Sequence, residues 1–470
     1  MRRARILATV GPASREGPLL DALLAAGVDG FRVNFSHGTA QEHRETVARI
    51  RLAEQRAGRF VAVLGDLSGP KIRCGTFPAG PVELIEGQRF TLTTRAVPGD
   101  ITQVSCTYPL WRDLRPGDAV LLDDGLLRLR AVAIAGEDVT CVVEVAGPLS
   151  DRKGINVPGA TLSTPALTPK DRQDALLAQE LGVDFLALSF VRRPQDLADL
   201  RQAVPNIPLI AKIEKPEAVS NLDAITDVAD GIMVARGDLG VELGSEKVPL
   251  VQKRAIRVTN DRNKLVITAT QMLDSMIRSP RPTRAEAADV ANAVLDGSDV
   301  LMLSGETAAG RYPLEAVRTM DAIIREIEAS DLYWELANGP SAQGATWDFA
   351  SACAAAAAFT ARNAPLAGII VFSHSGHTVN LVAEHRPRAP IVAVTPEVKV
   401  ARRLALQWGT LPVVEAISAD PTEVLAAAER LARSRLGARD GDTVGVVVGS
   451  QRSSGTKAFI LDTLGRPPGG

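Results

Sequence analysis

Four places along the chain combine residue types and spacings able to do chemistry. In Ile210-Ala211-Lys212-Ile213-Glu214 the two-residue period of an extended strand puts Lys212 and Glu214 on one face. A lysine in so apolar a stretch is costly unless it is paired or works. The two residues therefore read either as a structural ion pair or as the cation and carboxylate of a site. A second carboxylate, Asp238, follows the next apolar run in Val234-Ala235-Arg236-Gly237-Asp238. Two carboxylates at neighbouring strand ends can hold magnesium, a hard cation that takes one or two such ligands and completes its shell with substrate oxygens. Gly237 leaves backbone amides able to face an anion. Thr270, ending Ile267–Gln271, either donates to a carboxylate or proton path or simply fills a strand. Arg32, Asn34 and Ser36 share one face of Phe31–Gly38, and a fixed guanidinium suits phosphate. His37 beside them reads, alone, as a loop histidine.

The elements that must position these residues follow from the hydrophobic pattern. Short apolar runs recur at Ile6–Val10, Gly30–Phe35, Phe60–Asp66, Phe185–Phe190, Pro208–Glu214, Gly231–Arg236, Leu265–Thr270 and Asp299–Ser304. Runs nearly continuous in Val, Ile, Leu and Ala predict strands buried on both faces, hence a parallel sheet. Helical patterns fit between them at Leu19–Ala26, Ala40–Ala57, Pro169–Leu181, Pro194–Ala203, Pro216–Val228, Lys247–Arg262, Arg284–Leu295 and Pro313–Ser330. Such repetition predicts an α/β protein built on a (β/α)8 TIM barrel, with chemistry at the C-terminal ends of the strands. The candidate residues above fall at those ends.

One connection breaks the rhythm. Between Asp66 and Pro169 there are many turn signals and no strong helical period, which predicts a small inserted β-barrel domain placed as a lid. After a polar stretch at Asn338–Gly344, an alanine-rich helix and strands at Gly368–Phe372, Ile391–Val394, Leu411–Val414, Thr443–Val448 and Ala458–Leu461 predict a C-terminal open α/β domain. The expected boundaries are 1–69 with 168–336 for the barrel, 70–167 for the lid and 337–470 for the last domain.

Composition narrows the class. With 470 residues there is enough chain for several cores, and 46% hydrophobic with 23% charged residues excludes a wholly disordered chain. A formal net charge of −2 and 4% aromatics argue against a nucleic-acid partner, and no apolar run is long enough to span a membrane. Lysine is scarce, 10 residues against 43 arginines, so each lysine in an apolar setting is informative. The four cysteines are scattered without a CxxC pair, which suggests neither a zinc site nor a disulfide scaffold and fits a reduced cytoplasm. No P-loop and no protein-kinase signature set occurs; Gly455-Thr456-Lys457 lacks the required spacing.

Taken together the motifs resemble the pyruvate kinase family along essentially the whole chain. The carrying segments are Ala8-Thr-Val-Gly-Pro-Ala-Ser14, Arg32-Val-Asn-Phe-Ser-His-Gly38, Gly69-Pro-Lys-Ile-Arg73, Ala211-Lys-Ile-Glu214, Met233-Val-Ala-Arg-Gly-Asp-Leu-Gly-Val241 and Thr268-Ala-Thr-Gln-Met-Leu273. Arg281-Pro-Thr-Arg-Ala-Glu286, Asp289–Gly297 and Met302-Leu-Ser-Gly-Glu-Thr307 join them in order. The resemblance implies a phosphotransferase that moves phosphoryl from phosphoenolpyruvate to ADP, giving ATP and, after protonation of the enolate, pyruvate. It implies catalytic Lys212, Thr270 and Arg32, with Gly237 and Asp238 also touching substrate. Glu214 and Asp238 match magnesium (or manganese) ligands. Asn34, Phe35, Ser36, His37, Arg73 and Lys153 (in Arg152-Lys-Gly-Ile-Asn156) match nucleotide-side positions.

One departure concerns potassium. Many family members read Asp-Thr-Lys-Gly-Pro-Glu and hold potassium with residues matching Asn34, Ser36, Asp66 and the Leu67 carbonyl. This chain reads Asp66-Leu67-Ser68-Gly69-Pro70-Lys71, which resembles the potassium-independent branch, where an ammonium replaces the ion's charge. The expectation is activity without potassium. The last domain resembles the family's effector-binding domain: Phe372-Ser-His-Ser-Gly-His-Thr378 offers Ser373, Ser375, Gly376 and Thr378 at a turn before a helix, a ready anion site, with Gly449–Gly455 nearby. A phosphorylated metabolite is the expected effector. A cytoplasmic homotetramer is the family's expectation.

Overall fold

Strands without polar alternation cannot leave a face in water, and the eight apolar runs accordingly close on themselves. In the computed structural model, which describes residues 2–160, 162–337, 348–449 and 456–465, they form a closed barrel of parallel strands. These are Arg5–Thr9, Gly30–Asn34, Ala62–Asp66, Phe185–Leu188, Leu209–Ile213, Gly231–Ala235, Leu265–Ala269 and Val300–Leu303, the last pairing with the first. All are buried end to end except Gly30–Asn34, where Arg32 and Asn34 are partly exposed. Leu7, Leu64, Ile210, Met233, Ile267 and Met302 fill the interior, and Leu406 of the C-terminal domain packs into the same cluster. A Cβ added at Gly30, which opens its strand, would meet the Leu406 side chain at 2.9 Å. The C-terminal domain therefore plugs the barrel at the end opposite the strand tips.

The structure differs from the sequence reading at three element ends. The helix expected over Pro216–Val228 is two, Pro216–Ser220 and Leu222–Val228, interrupted at Asn221, whose amide donates to the Arg192 carbonyl at 2.8 Å. The strand expected to reach Arg236 stops at Ala235, and a short helix, Arg236–Leu243, starts there. Gly237 and Gly240 lower helix propensity enough to hide it from the pattern. The strand expected to reach Thr270 stops at Ala269, because Thr270 and Gln271 are left-handed, φ +70° and +53°.

The inserted segment is all β. Six strands pair in the order Ile155–Asn156, Ala119–Leu122, Leu127–Ala135, Asp138–Val145, Arg89–Thr93 and Gln103–Ser105, all antiparallel except the last pair. A two-stranded ribbon, Val82–Leu84 with Gly147–Leu149, shares their core around Phe90, Val120, Leu129 and Val143. Two straps join this body to the barrel. They meet at Asp171: the Thr168 hydroxyl accepts from the Asp171 amide in a capping box that starts helix Pro169–Glu180, while Asp171 Oδ1 accepts from the Gly69 amide at 3.0 Å.

The C-terminal domain is a five-stranded sheet ordered Thr410–Val414, Ile391–Thr395, Leu366–Phe372, Thr443–Gly449 and Thr456–Thr463, parallel except for the last strand. It holds to the barrel through ion pairs: Arg386, which also lies 3.5 Å from Glu384 of its own domain, reaches Asp299 at 2.7 Å, and Arg402 reaches Glu54 at 2.7 Å. The polar stretch Asn338–Gly344 and loop positions 450–455 lie outside the described residues. No helix among the described residues is long and apolar enough to cross a membrane.

Candidate active site

Polar side chains gather where the strands end. Lys212, next to last in its strand, is 9% exposed. Its ammonium lies 2.9 Å from Glu214 Oε1, 3.4 Å from Asp66 Oδ1 and 2.7 Å from Ser189 Oγ. Burial alone would drive it neutral, but Asp66 and Glu214 outweigh that and raise its pKa above the ordinary lysine value, so it stays charged. Asp66 is pulled the other way: burial opposes its charge, yet Lys212 and Arg32 hold its pKa below the ordinary value. Arg32 Nε donates to Asp66 Oδ2 at 2.7 Å, and its Nη1 to the Thr9 hydroxyl at 3.2 Å. Its guanidinium is thus oriented by two strands, with its remaining face toward the strand ends.

Glu214 and Asp238 fit a divalent metal by their unused oxygens. Glu214 is 1% exposed; Oε2 accepts from the Phe190 amide at 2.7 Å, while Oε1 has no hydrogen bond despite its approach to Lys212. Burial and the neighbouring Asp238 charge raise its pKa, against the pull of Lys212. A cation between the two carboxylates would relieve both penalties. Among the described residues no set of three or more His, Cys, Asp or Glu converges on a metal position. Two protein carboxylates with substrate and water oxygens is the shell magnesium prefers.

Gly237 and Thr270 meet directly: the Gly237 amide donates to Thr270 Oγ1 at 2.8 Å, and the Thr270 hydroxyl donates to its neighbour's carbonyl, Ala269 O, at 2.6 Å. A β-branched residue at positive φ costs roughly 1–3 kcal/mol and persists only where neighbours enforce it. The enforcing residue is Arg236, to which the sequence reading gave no role. It donates to the Thr270 carbonyl from Nη2 at 2.7 Å and Nε at 3.2 Å, and pairs with Asp289 at 2.7 Å.

Ser189 was also missed. It follows strand Phe185–Leu188, so the strand-end rule could have found it. Its hydroxyl donates to the Leu67 carbonyl at 2.7 Å and turns its lone pairs to Lys212. The Leu67 carbonyl, expected in a monovalent-cation pocket, thus already has a partner. In that pocket, Asn34 Oδ1 accepts from the Ser36 amide at 3.1 Å. The Lys71 ammonium lies 3.5 Å from Asp238 Oδ1, and no ion pair joins it to Asp66. Its charge is therefore in the site, but against the second metal-type carboxylate.

The nucleotide-side candidates spread over the rim. Phe35 is fully buried and its ring packs 4.3 Å from His43, so only its backbone can face a ligand; its carbonyl accepts from Lys170 at 2.8 Å. Burial lowers the His37 pKa, and the nearby charges of Arg73, Arg32, Lys71 and Lys170 lower it further. Such a neutral imidazole amid four cations marks a place for polyanions. Arg73 Nη1 donates to the Arg152 carbonyl at 3.0 Å, and Lys153 pairs with Asp123 at 2.9 Å, both in the inserted domain. Far off in the C-terminal domain, Ser373 Oγ accepts from the Gly376 amide at 3.1 Å and Ser375 Oγ from the His377 amide at 3.4 Å, and Thr378 is buried.

Comparison with known proteins agrees with this architecture. Residues 1–317 match the family described as "Pyruvate kinase, barrel domain", and residues 351–460 match "Pyruvate kinase, alpha/beta domain". The chain is 45% identical to a pyruvate kinase of Geobacillus stearothermophilus over 98% of its own length and 81% of that protein. It is 47% identical to one from Mycobacterium tuberculosis over 87% of both chains, and 41% identical to one from Clostridium acetobutylicum over 96% of both. The two family matches and the pyruvate kinase relatives make the chain a phosphotransferase. The chain belongs to the pyruvate kinase family.

Proposed function

We propose that this enzyme transfers phosphoryl from phosphoenolpyruvate to ADP with magnesium and without a potassium requirement, in glycolysis, under control of a phosphorylated metabolite. The observation that carries the reading is the Lys212 ammonium, buried yet charged, at the strand ends beside Arg32. A charge fixed before reaction meets the negative charge developing on the phosphoryl and enolate oxygens without reorganising solvent, which is where most of the acceleration in such transfers arises. Arg32 and Arg73 clamp phosphate oxygens. The Gly237 and Asp238 amides with the Thr270 hydroxyl hold the substrate carboxylate, the hydroxyl turning from Ala269 O and the Gly237 amide leaving Thr270 Oγ1 to do so. Glu214 and Asp238 would hold magnesium, which would supply charge neutralisation to the substrate oxygens. Asn34, the Phe35 backbone, Ser36, His37, Arg73 and Lys153 receive the nucleotide, and the inserted domain closes over it as a lid to exclude water.

Lys71 supports potassium independence, because its ammonium already brings a monovalent charge into the site, paired with Asp238. The boundaries we assign are 1–69 with 168–336, 70–167 and 337–470, and the effector turn is Ser373–Thr378 in a cytoplasmic homotetramer. The test is pyruvate formation from phosphoenolpyruvate, ADP and magnesium in potassium-free buffer. Robust turnover is expected. Turnover only after potassium is added would discard the Lys71 argument, and silence in both buffers and with phosphometabolites would discard the enzyme reading.

A further inference from the structure

Folding brings together two cysteines that the sequence keeps apart. Cys74 and Cys106 face each other in an isolated antiparallel bridge at the base of the inserted domain. The Gly75 amide donates to the Ser105 carbonyl at 2.7 Å and the Thr107 amide to the Arg73 carbonyl at 3.1 Å. Hydrogen bonds therefore flank the pair, and the cysteines occupy the non-hydrogen-bonded register, in which α-carbons are about 4.5 Å apart and side chains closest. That separation falls within the ~4.4–6.8 Å over which a disulfide closes without moving backbone. Both thiols are free, Cys74 1% exposed and Cys106 9%. Cys106 is thus the one a small reagent reaches. Burial raises both thiol pKa values, that of Cys74 to about 12, where the Cys106 charge adds to the rise. Such thiols react slowly with any electrophile, peroxide included, and their outstanding property is each other's proximity.

We propose that Cys74 and Cys106 are a peroxide-driven disulfide site, a covalent clasp across the base of the inserted domain. The Cys106 thiolate attacks one oxygen of hydrogen peroxide; the O–O bond breaks and hydroxide leaves, taking up the thiol proton as water. The sulfenic acid left on Cys106 is then attacked by the Cys74 sulfur. The S–S bond forms as the S–O bond breaks, and the departing hydroxide takes the Cys74 proton as a second water. Two thiols lose two protons and two electrons, and one peroxide becomes two waters. A dithiol reverses the step by exchange.

The clasp pins a strand with work to do. Arg73 precedes Cys74, and the Cys74 amide donates to the Lys153 carbonyl at 2.8 Å. Cross-linking fixes the strand carrying Arg73 against the strand carrying Cys106, and the Lys153 segment is hydrogen-bonded to that pinned strand; this consequence rests on the nucleotide-side reading above, whereas the chemistry at sulfur does not. The test treats the full chain with graded hydrogen peroxide, blocks remaining thiols, and maps disulfides by mass spectrometry of a non-reduced digest. Partly exposed Cys353 reports the peroxide dose. The expected result is a Cys74–Cys106 linked peptide that dithiothreitol abolishes, with an ADP KM at least threefold higher while linked. Cys106→Ser should form no link and keep a peroxide-insensitive KM; if it fails to fold, Cys74→Ala serves. Oxidation of Cys353 with no Cys74–Cys106 link, or sulfinic acid at either position instead, would overturn the site. A link with unchanged ADP KM would overturn its coupling to the nucleotide.

Discussion

Ser189 Oγ lies 2.7 Å from the Lys212 ammonium with its own proton committed to the Leu67 carbonyl, so its lone pairs can only accept from the lysine. A hydrogen bond to a charged group is worth roughly 1.5–3 kcal/mol. Ser189→Ala should therefore lower kcat/KM for phosphoenolpyruvate about tenfold or more. Steady-state kinetics read the loss, and an unchanged kcat/KM would make Ser189 a packing residue only.

Lys212 holds the site's two buried carboxylates together, and its removal should cost both activity and stability. Lys212→Met should abolish measurable pyruvate formation. It should also lower unfolding free energy by about 3–5 kcal/mol, because Glu214 would lose its cation and Asp66 would keep only Arg32 as a partner. Chemical denaturation reads the second effect; an unchanged midpoint would contradict the network described here.

The metal assignment has a readout apart from turnover. Glu214→Gln and Asp238→Asn should each weaken manganese binding at least tenfold, followed by electron paramagnetic resonance of the free ion. Undiminished affinity in both would place the ion elsewhere.

Arg236 imposes the left-handed turn at Thr270, and its fork geometry is not reproduced by lysine. Arg236→Lys should raise KM for phosphoenolpyruvate and lower kcat, about tenfold in the ratio, with ADP KM little changed. An equal loss for both substrates would point instead to general loosening of the barrel end.

At the opposite end of the barrel, stability should depend on pH through Glu384. Burial and the Asp299 charge push its pKa well above the ordinary 4.5, against Arg386. In that window the folded chain keeps a proton the unfolded chain has lost, so stability falls as pH rises upward from 4.5. Glu384→Gln, which retains a partner for Gln407, should be more stable than the parent at pH 8, with the advantage shrinking towards pH 4.5. Parallel denaturation curves at several pH values would reveal a constant offset if Glu384 is not the cause.

The barrel was readable because doubly buried strands write themselves as unbroken apolar runs, and Lys212, Glu214 and Asp66 stood out against them. The strand-end rule covers Ser189 as well, since it stands one residue past Leu188, but a lone serine after an apolar run carries no charge to draw the eye. Arg236 was invisible for another reason: besides Asp289, the partners through which it holds the turn are the backbone carbonyls of Thr270 and Gln271, and a carbonyl carries no residue-type signal. The same blindness hid the left-handed Thr270, since a threonine after an apolar run looks like more strand. Lys71 shows the limit of motif reasoning, which assigned its charge to one pocket while side-chain reach delivers it to Asp238. No spacing rule could have joined Cys74 to Cys106, because their adjacency is a property of the inserted sheet.

The double strap joined at Asp171 has a mechanical meaning. A body fixed by a single thread can swivel in any direction, whereas one fixed at two points turns only about the line between them, as a door does on its hinges. Displacement then grows with distance from that line. Residues close to that line would move little in any such swing and those far from it most, so that connectivity alone selects one direction of travel.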